Sequence, residues 1–274
     1  MADGMNIDGV KFYNFPRRIA SQEYDKTIEN IFNRLRSYDC VDSVYTWGTI
    51  SDPGISDLDV LVVLKDGIKF IPLKHKSIYF MGNKSRYIVV HPFIIASRSV
   101  AENASFIYPD TNFIKVFGEG VDFKKPGNNE LNQLRASLLN DIIIRHLPRD
   151  FASILKSRKI NVRELLLRLK SLTYSIRLYN LATGKNIKNS EKYGNEIKNL
   201  RKNWFSLRQE AQKKLIIKLF NEAVKISLDI VEGFNEYLGK NRIARVYPKG
   251  DVISYSGEKN KTVFTDNWKK SAGL

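Results

Sequence analysis

The sequence has one cysteine, Cys40, and three histidines, His75, His91 and His146, in 274 residues. A lone thiol excludes an internal disulfide and suits a reducing compartment. The same counts exclude a structural zinc site of the usual Cys/His composition. Long apolar runs are also missing: none reaches the roughly 18 residues that a membrane span requires. The first residues, "MADGMNIDGVKFYNFPRR", carry acids where a secretory leader needs positive charge, and they lack an apolar stretch. These absences lead to the expectation of a cytoplasmic protein that does not engage a membrane.

What is present is globular. Hydrophobic residues make up 43% and aromatics 11%, well above the composition of a disordered chain. The length suits one large domain or two ordinary ones. The net charge of +16 is unevenly placed. Residues 1–126 hold 16 Lys/Arg against 15 Asp/Glu, and residues 127–274 hold 29 against 14. The second half therefore carries +15 of the excess and is expected to face an acidic partner: a nucleotide, an RNA or an acidic protein. A solvated basic helical surface accounts for the same number.

Hydrophobic period divides the chain in the same place. In residues 21–38, Tyr24, Ile28, Ile31, Phe32 and Leu35 recur at helical spacing after Ser21, a potential N-cap. "VDSVYTW" reads as a strand ending at Gly48, and "DLDVLVVL" as a strand closed by the turn "KDG". "SIYFMG" and "RYIVVHPFIIA" read as further strands, the second interrupted or at an edge because Pro92 lacks a ladder donor. "NFIKVFGEGVDF" supplies a last short strand.

From Leu131 the period becomes 3.6. Leu131, Leu134, Leu138, Ile142 and Ile143 form one stripe, Leu165, Leu169, Leu172 and Ile176 a second, and Ile216, Phe220, Ala223, Ile230 and Phe234 a third. The segment "KNIKNSEKYGNEIKN" reads as a loop or short helix. The expected class is α+β: a mixed sheet with flanking helices in residues 1–126, then a basic helical domain in 127–274.

One stretch, "WGTISDPGISDLDVLVVL", carries chemistry. Asp57 and Asp59 are two apart where a strand opens, a spacing that sends both side chains to one face with Leu61 and Val63 behind them. Leu58, Val60, Val62 and Leu64 line the other face, so the strand is apolar on both sides and belongs inside a sheet. Adjacent carboxylates repel and resist burial, and a divalent cation removes both penalties. Paired acids are also the usual ligands for Mg²⁺ bridging to a triphosphate. Gly48 lets a polyphosphate approach backbone amides closely, and the Thr49 hydroxyl can donate to a phosphate oxygen. Pro53 and Gly54 fold the intervening loop back.

The order strand, Gly-Thr, spacer, acid-hydrophobic-acid and strand resembles the nucleotidyltransferase superfamily that includes polymerase beta, kanamycin nucleotidyltransferase and the minimal nucleotidyltransferases. The resemblance covers residues 25–125, with "GTISDPGISDLDV" as its specific part, and the helical half matches in kind only. It implies a polymerase beta-like core and a two-metal Mg²⁺ site on Asp57 and Asp59. It also implies a nucleoside triphosphate, ATP by preference, held by Gly48 and Thr49, and transfer of the monophosphate to a hydroxyl acceptor. The motif departs from the family in three respects. Thr49 replaces serine. Only seven residues separate Thr49 from Asp57. The third carboxylate, expected on a later strand, has no evident counterpart: the central polar residue of "RYIVVHPFIIA" is His91, a potential general base. Glu102, Glu119 and Asp122 are the other acids near enough to substitute.

Basic residues of the helical half, among them Arg163, Arg168, Lys170, Arg177, Arg201 and Lys202, are candidates for phosphate contact that the sequence cannot separate from solvated surface. Trp47, Tyr174 and Tyr179 are candidates for base stacking or simple packing. The acceptor is expected between the two domains, an RNA or acidic protein ahead of a small hydroxyl compound. A nucleotide- or RNA-binding protein without transfer activity fits the same residues.

Overall fold

In the computed structural model, which describes residues 8–48, 50–68, 81–108, 110–145 and 147–240, the change of hydrophobic period marks the change of architecture. The first half contains β1 (Lys11–Tyr13), α1 (Gln22–Leu35), β2 (Val41–Trp47), β3 (Asp59–Leu64) and α2 (Asn83–Ile88). It continues with β4 (Ile94–Ser97), the single turns α3 (Arg98–Ala101) and α4 (Ala104–Ile107), and β5 (Ile114–Gly118). The second half contains α5 (Asn128–Arg145), α6 (Leu147–Ser157), β6 (Lys159–Asn161), α7 (Val162–Thr183), α8 (Ser190–Lys202) and α9 (Gln209–Lys240). The chain is α+β, with a mixed four-stranded sheet, flanking helices and a helical C-terminal region. Thr49, His75, His146, most of "SIYFMG" and the segment after Lys240 lie outside the described residues.

Two units compose the described chain. A helical unit draws on Met1–Glu23, Thr49–Asp57 and Asn128–Asn235, and a sheet unit on Tyr24–Gly48, Leu58–Gly127 and the chain from Glu236. The nine residues before Leu58 thus belong with the helices, although the strands on either side of them belong to the sheet.

In the sheet unit the strand order is β4-β3-β2-β5, with β2 antiparallel to β3 and β5 and β3 parallel to β4. The interior position of β3 matches its two apolar faces: Val60, Leu61, Val62, Val63 and Leu64 are all buried. Leu61 and Val63 join Tyr45, Ala101 and Val121 in one cluster, edged by Trp47, Phe113 and Phe123. The Tyr45 hydroxyl lies 2.6 Å from the Val121 amide, which donates to it, so the aromatic ring is anchored at its polar end. Helix α1 buries Tyr24, Ile31 and Leu35 of the expected stripe together with Thr27, while Ile28 and Phe32 are half-buried.

The segment "RYIVVHPFIIA" is not one strand. Arg86–Ile88 close α2, and β4 begins only at Ile94, two residues after Pro92. A short apolar run fits a buried helix end as well as a strand. Here Ile88 and Val89 are buried at the helix end, the Ile88 carbonyl accepts from the Leu58 amide at 3.1 Å, and Pro92 delays the ladder.

In the helical unit β1 and β6 pair in parallel, Lys11 to Tyr13 against Lys159 to Asn161. Helix α7 starts where Asn161 accepts the Glu164 amide at 3.3 Å and ends at Gly184, in the left-handed region at φ +70°. Its stripe Leu165, Leu169, Leu172 and Ile176 is buried as expected, as are Ile216, Phe220, Ala223, Ile230 and Phe234 on α9. Among the described side chains of α5, Ala136 and Leu139 are buried, while Leu131, Leu134, Leu138 and Ile142 are half-buried and that of Ile143 lies outside them. The polar "KNIKNSEKYGNEIKN" becomes α8 because Tyr193, Ile197 and Leu200 give it one apolar face. The Tyr193 hydroxyl donates to the Leu169 carbonyl at 2.7 Å, and burial holds its phenol far above the usual range.

Candidate phosphate and metal site

The ladder between β2 and β3 ends on the pair Trp47–Asp59. Gly48 follows at φ +84°, a left-handed turn that disfavours any side chain, and a Cβ there would stand 3.9 Å from Asp59 Oδ2. The Asp59 carboxylate therefore lies close to the bare Cα of Gly48 within the sheet unit. Asp59 is half-buried. Beside it on the strand-paired position, Trp47 packs against Phe113 (ring centroids 5.7 Å apart) and Tyr108 (6.0 Å), so the indole serves packing on that side. Asp57 precedes the first rung of β3 and is half-buried at the end of the loop.

That loop is a built element of the helical unit. The amides of Ile55 and Ser56 both donate to the Asp52 carbonyl, at 3.0 and 2.9 Å, making one tight turn. Arg201 of α8, 2% exposed, makes two hydrogen bonds to the turn and one to α7. Its Nε donates to Asp52 at 2.7 Å, and its two terminal nitrogens donate to Ser56 Oγ at 3.0 Å and the Leu166 carbonyl at 3.1 Å. Arg163 of α7, also buried, adds a long contact of 3.4 Å to the Ser56 carbonyl. A forked, permanently charged guanidinium suits this task, since it satisfies several acceptors without leaving one charge unpaired.

Gly54 closes the turn against the N-terminal segment. Its φ is +89°, and a Cβ would overlap the Arg17 carbonyl oxygen and crowd the Phe205 ring. Gly54→Ala is expected to lower the unfolding free energy by about 3 kcal/mol, from left-handed strain plus backbone displacement. Urea unfolding followed by circular dichroism measures it.

Lys170 lies seven residues beyond Arg163 on α7 and is half-buried. That spacing puts both on the helix face that meets the loop. Its pKa is lowered, first by burial and second by the Arg201 charge, against raising contributions from Asp52 and Asp57. Among the basic candidates, structure separates Arg163, Lys170 and Arg201, which face the loop, from Arg177 and Lys202, which are exposed. Arg168 approaches Glu164 at 3.7 Å. Tyr179 is buried with its hydroxyl against Gly233, as packing.

His91 is exposed and lies before β4, whose first rung is Leu61–Ile94, so it does not occupy a strand position. Neither β4 nor β5 contains a carboxylate. Glu102 pairs with Lys124 at 3.2 Å and Glu119 with Arg98 at 3.1 Å, while Asp122 is exposed. Sequence reasoning missed Asp52 and Ser56, because "SDPG" reads as a plain turn and their partner Arg201 is 149 positions from Asp52. The signal for Lys170 was available in its heptad spacing from Arg163.

No helix among the described residues is long and apolar enough to cross a membrane. Compared with known proteins, the chain matches no family model and no curated protein.

Proposed function

We propose that the protein is a Mg²⁺-dependent nucleotidyltransferase that moves a nucleoside monophosphate, AMP from ATP, onto a hydroxyl acceptor. The observation that carries this reading is Asp59 Oδ2 set against the left-handed Gly48, directly before the buried β3. Two carboxylates, Asp57 and Asp59, fit a hard cation of Mg²⁺ type, which binds through one or two carboxylates and completes its shell with water and phosphate oxygens. Among the described residues no group of three or more His, Cys, Asp and Glu is placed to hold a metal ion. The cation would neutralise charge on the triphosphate when bound. In the reaction, the acceptor oxygen bonds to the α-phosphorus as the bond to pyrophosphate breaks. Gly48 leaves room for the phosphates, with Thr49 beside it in sequence. His91 is the candidate for the acceptor proton.

The basic residues 127–274 favour an acidic acceptor, an RNA end or acidic protein ahead of a small hydroxyl compound. Incubation with labelled nucleoside triphosphates and Mg²⁺ across these acceptor classes tests the reading through label transfer and pyrophosphate release. Transfer that is indifferent to both Asp57 and Asp59 would sink it. His91→Gln is expected to preserve nucleotide binding and slow transfer by about 100-fold, the lower range for loss of a general base; pre-steady-state transfer rates measure it.

The absence of a carboxylate from β4 and β5 favours one second reading, a nucleotide-binding protein that does not transfer. It predicts a calorimetric signal for nucleotide with no pyrophosphate released for any acceptor.

A further inference from the structure

Within the helical unit the N-terminal segment is strapped to the turn Trp204–Ser206, which follows α8. The Lys213 ammonium lies over the Phe12 ring at 5.8 Å, and Phe15 packs against the buried Trp204 with ring centroids 6.4 Å apart. Arg18 ends the strap. One of its terminal nitrogens donates to the Phe205 carbonyl at 2.6 Å, across 187 positions of chain, and its guanidinium lies over the Phe205 ring at 5.2 Å. The Phe205 ring and the Arg17 carbonyl are also the groups that close on Gly54, so the strap adjoins the loop that ends in Asp57.

This junction gathers exposed positive charge. Arg17 and Arg18 are exposed, and so are Lys202 and Arg208, which flank Phe205 in the chain. Asp52 of the adjoining loop and Glu210 at the start of α9 are already taken by Arg201 and Lys213, each at 2.7 Å. Among the described residues Arg18, Lys202 and Arg208 have no ion pair with a carboxylate. Like charges collected in this way repel one another, and an anionic partner relieves them. A merely solvated face has no need to order its cations, whereas Arg18 is held by both a ring and a carbonyl.

We propose that Arg17, Arg18, Lys202 and Arg208, grouped about Phe205, form a docking surface for single-stranded nucleic acid. The cations take phosphates of the strand, a task for which the arginine fork is suited. Unstacked bases lie against guanidinium planes, and Arg18 is preoriented to receive one. Bases stacked within a duplex cannot use it, and an acidic protein offers carboxylates without that planar group. The surface itself stands on the charges and contacts of the junction. That its ligand is the acceptor of the nucleotidyl group rests on the transferase reading, and a strand end held here adjoins the loop that carries Asp57.

The test is fluorescence anisotropy of a labelled oligouridylate with the full chain, across NaCl concentrations and without metal. Changing all four cations to glutamine is expected to weaken binding roughly hundredfold at about 0.1 M salt. The salt slope should fall by about 3, at about 0.7 per phosphate contact on a single strand. Because Arg18 also holds the strap, Lys202→Gln with Arg208→Gln serves as a second variant, expected to lower the slope by about 1.4 with an unchanged urea midpoint. Lys188→Gln with Lys225→Gln removes the same charge from exposed positions about 20 Å away along α8 and α9, and should leave the slope unchanged. Equal losses in the two pairs would reduce the surface to net charge and overturn it. Equal competition by the duplex form of the oligomer, or by polyglutamate, would overturn it as well. Transfer to the oligonucleotide with the wild-type KM in Lys202→Gln with Arg208→Gln overturns this inference and leaves the transferase reading standing. Binding that needs the four cations, with no transfer to any acceptor, keeps the surface and removes the transferase.

Discussion

Arg201→Met is expected to destabilise the protein by about 3–5 kcal/mol, the usual cost of breaking a buried ion pair by removing one partner. The magnitude comes from what remains behind. Asp52 keeps its charge with its side chain only 13% exposed, and the Ser56 hydroxyl and Leu166 carbonyl each lose a charged donor. Methionine fills most of the vacated volume, so little of the loss comes from a cavity. Adding Asp52→Leu should recover most of the stability, because a buried pair replaced as a whole by apolar groups is often near neutral. Urea unfolding of the two single variants and the double variant forms a cycle, with a coupling energy expected above about 2 kcal/mol. Additive losses would show that Arg201 acts through Leu166 and Ser56 alone.

The second large effect belongs to the acids. Asp57→Asn and Asp59→Asn keep shape and remove charge, and each is expected to reduce transfer by about 1000-fold in kcat/KM. Metal-assisted charge stabilisation is worth several kcal/mol, and 1.36 kcal/mol corresponds to a tenfold change. Mg²⁺-dependent transfer of labelled nucleotide by each variant measures the effect.

Local patterns made much of this legible. The double-faced apolar run of β3 announced an interior strand, and the stripes on α7 and α9 announced buried helix faces. Gly48 and Asp59 were readable together because a strand end, a turn and a strand start are close in sequence. What escaped was set by distance or competing local signals. Pro92 and the buried Ile88–Val89 turned a supposed strand into a helix end and a short β4, which an apolar run of that length does not reveal. The loop's attachment depends on Arg201, and a contact across 149 residues leaves no periodic trace near Asp52. Lys170 stood out from other basic residues only once α7 had a face toward the loop.

That long separation also orders events during synthesis. At 5–20 residues per second, the chain between Asp52 and Arg201 takes about 7–30 s to emerge. Throughout that interval the acid loop lacks its clamp, while β2 and β3 already have each other. The nascent chain thus acquires Asp57 and Asp59 well before Arg201, the group that fixes the neighbouring Asp52, and the loop gains its clamp only late in translation with α8.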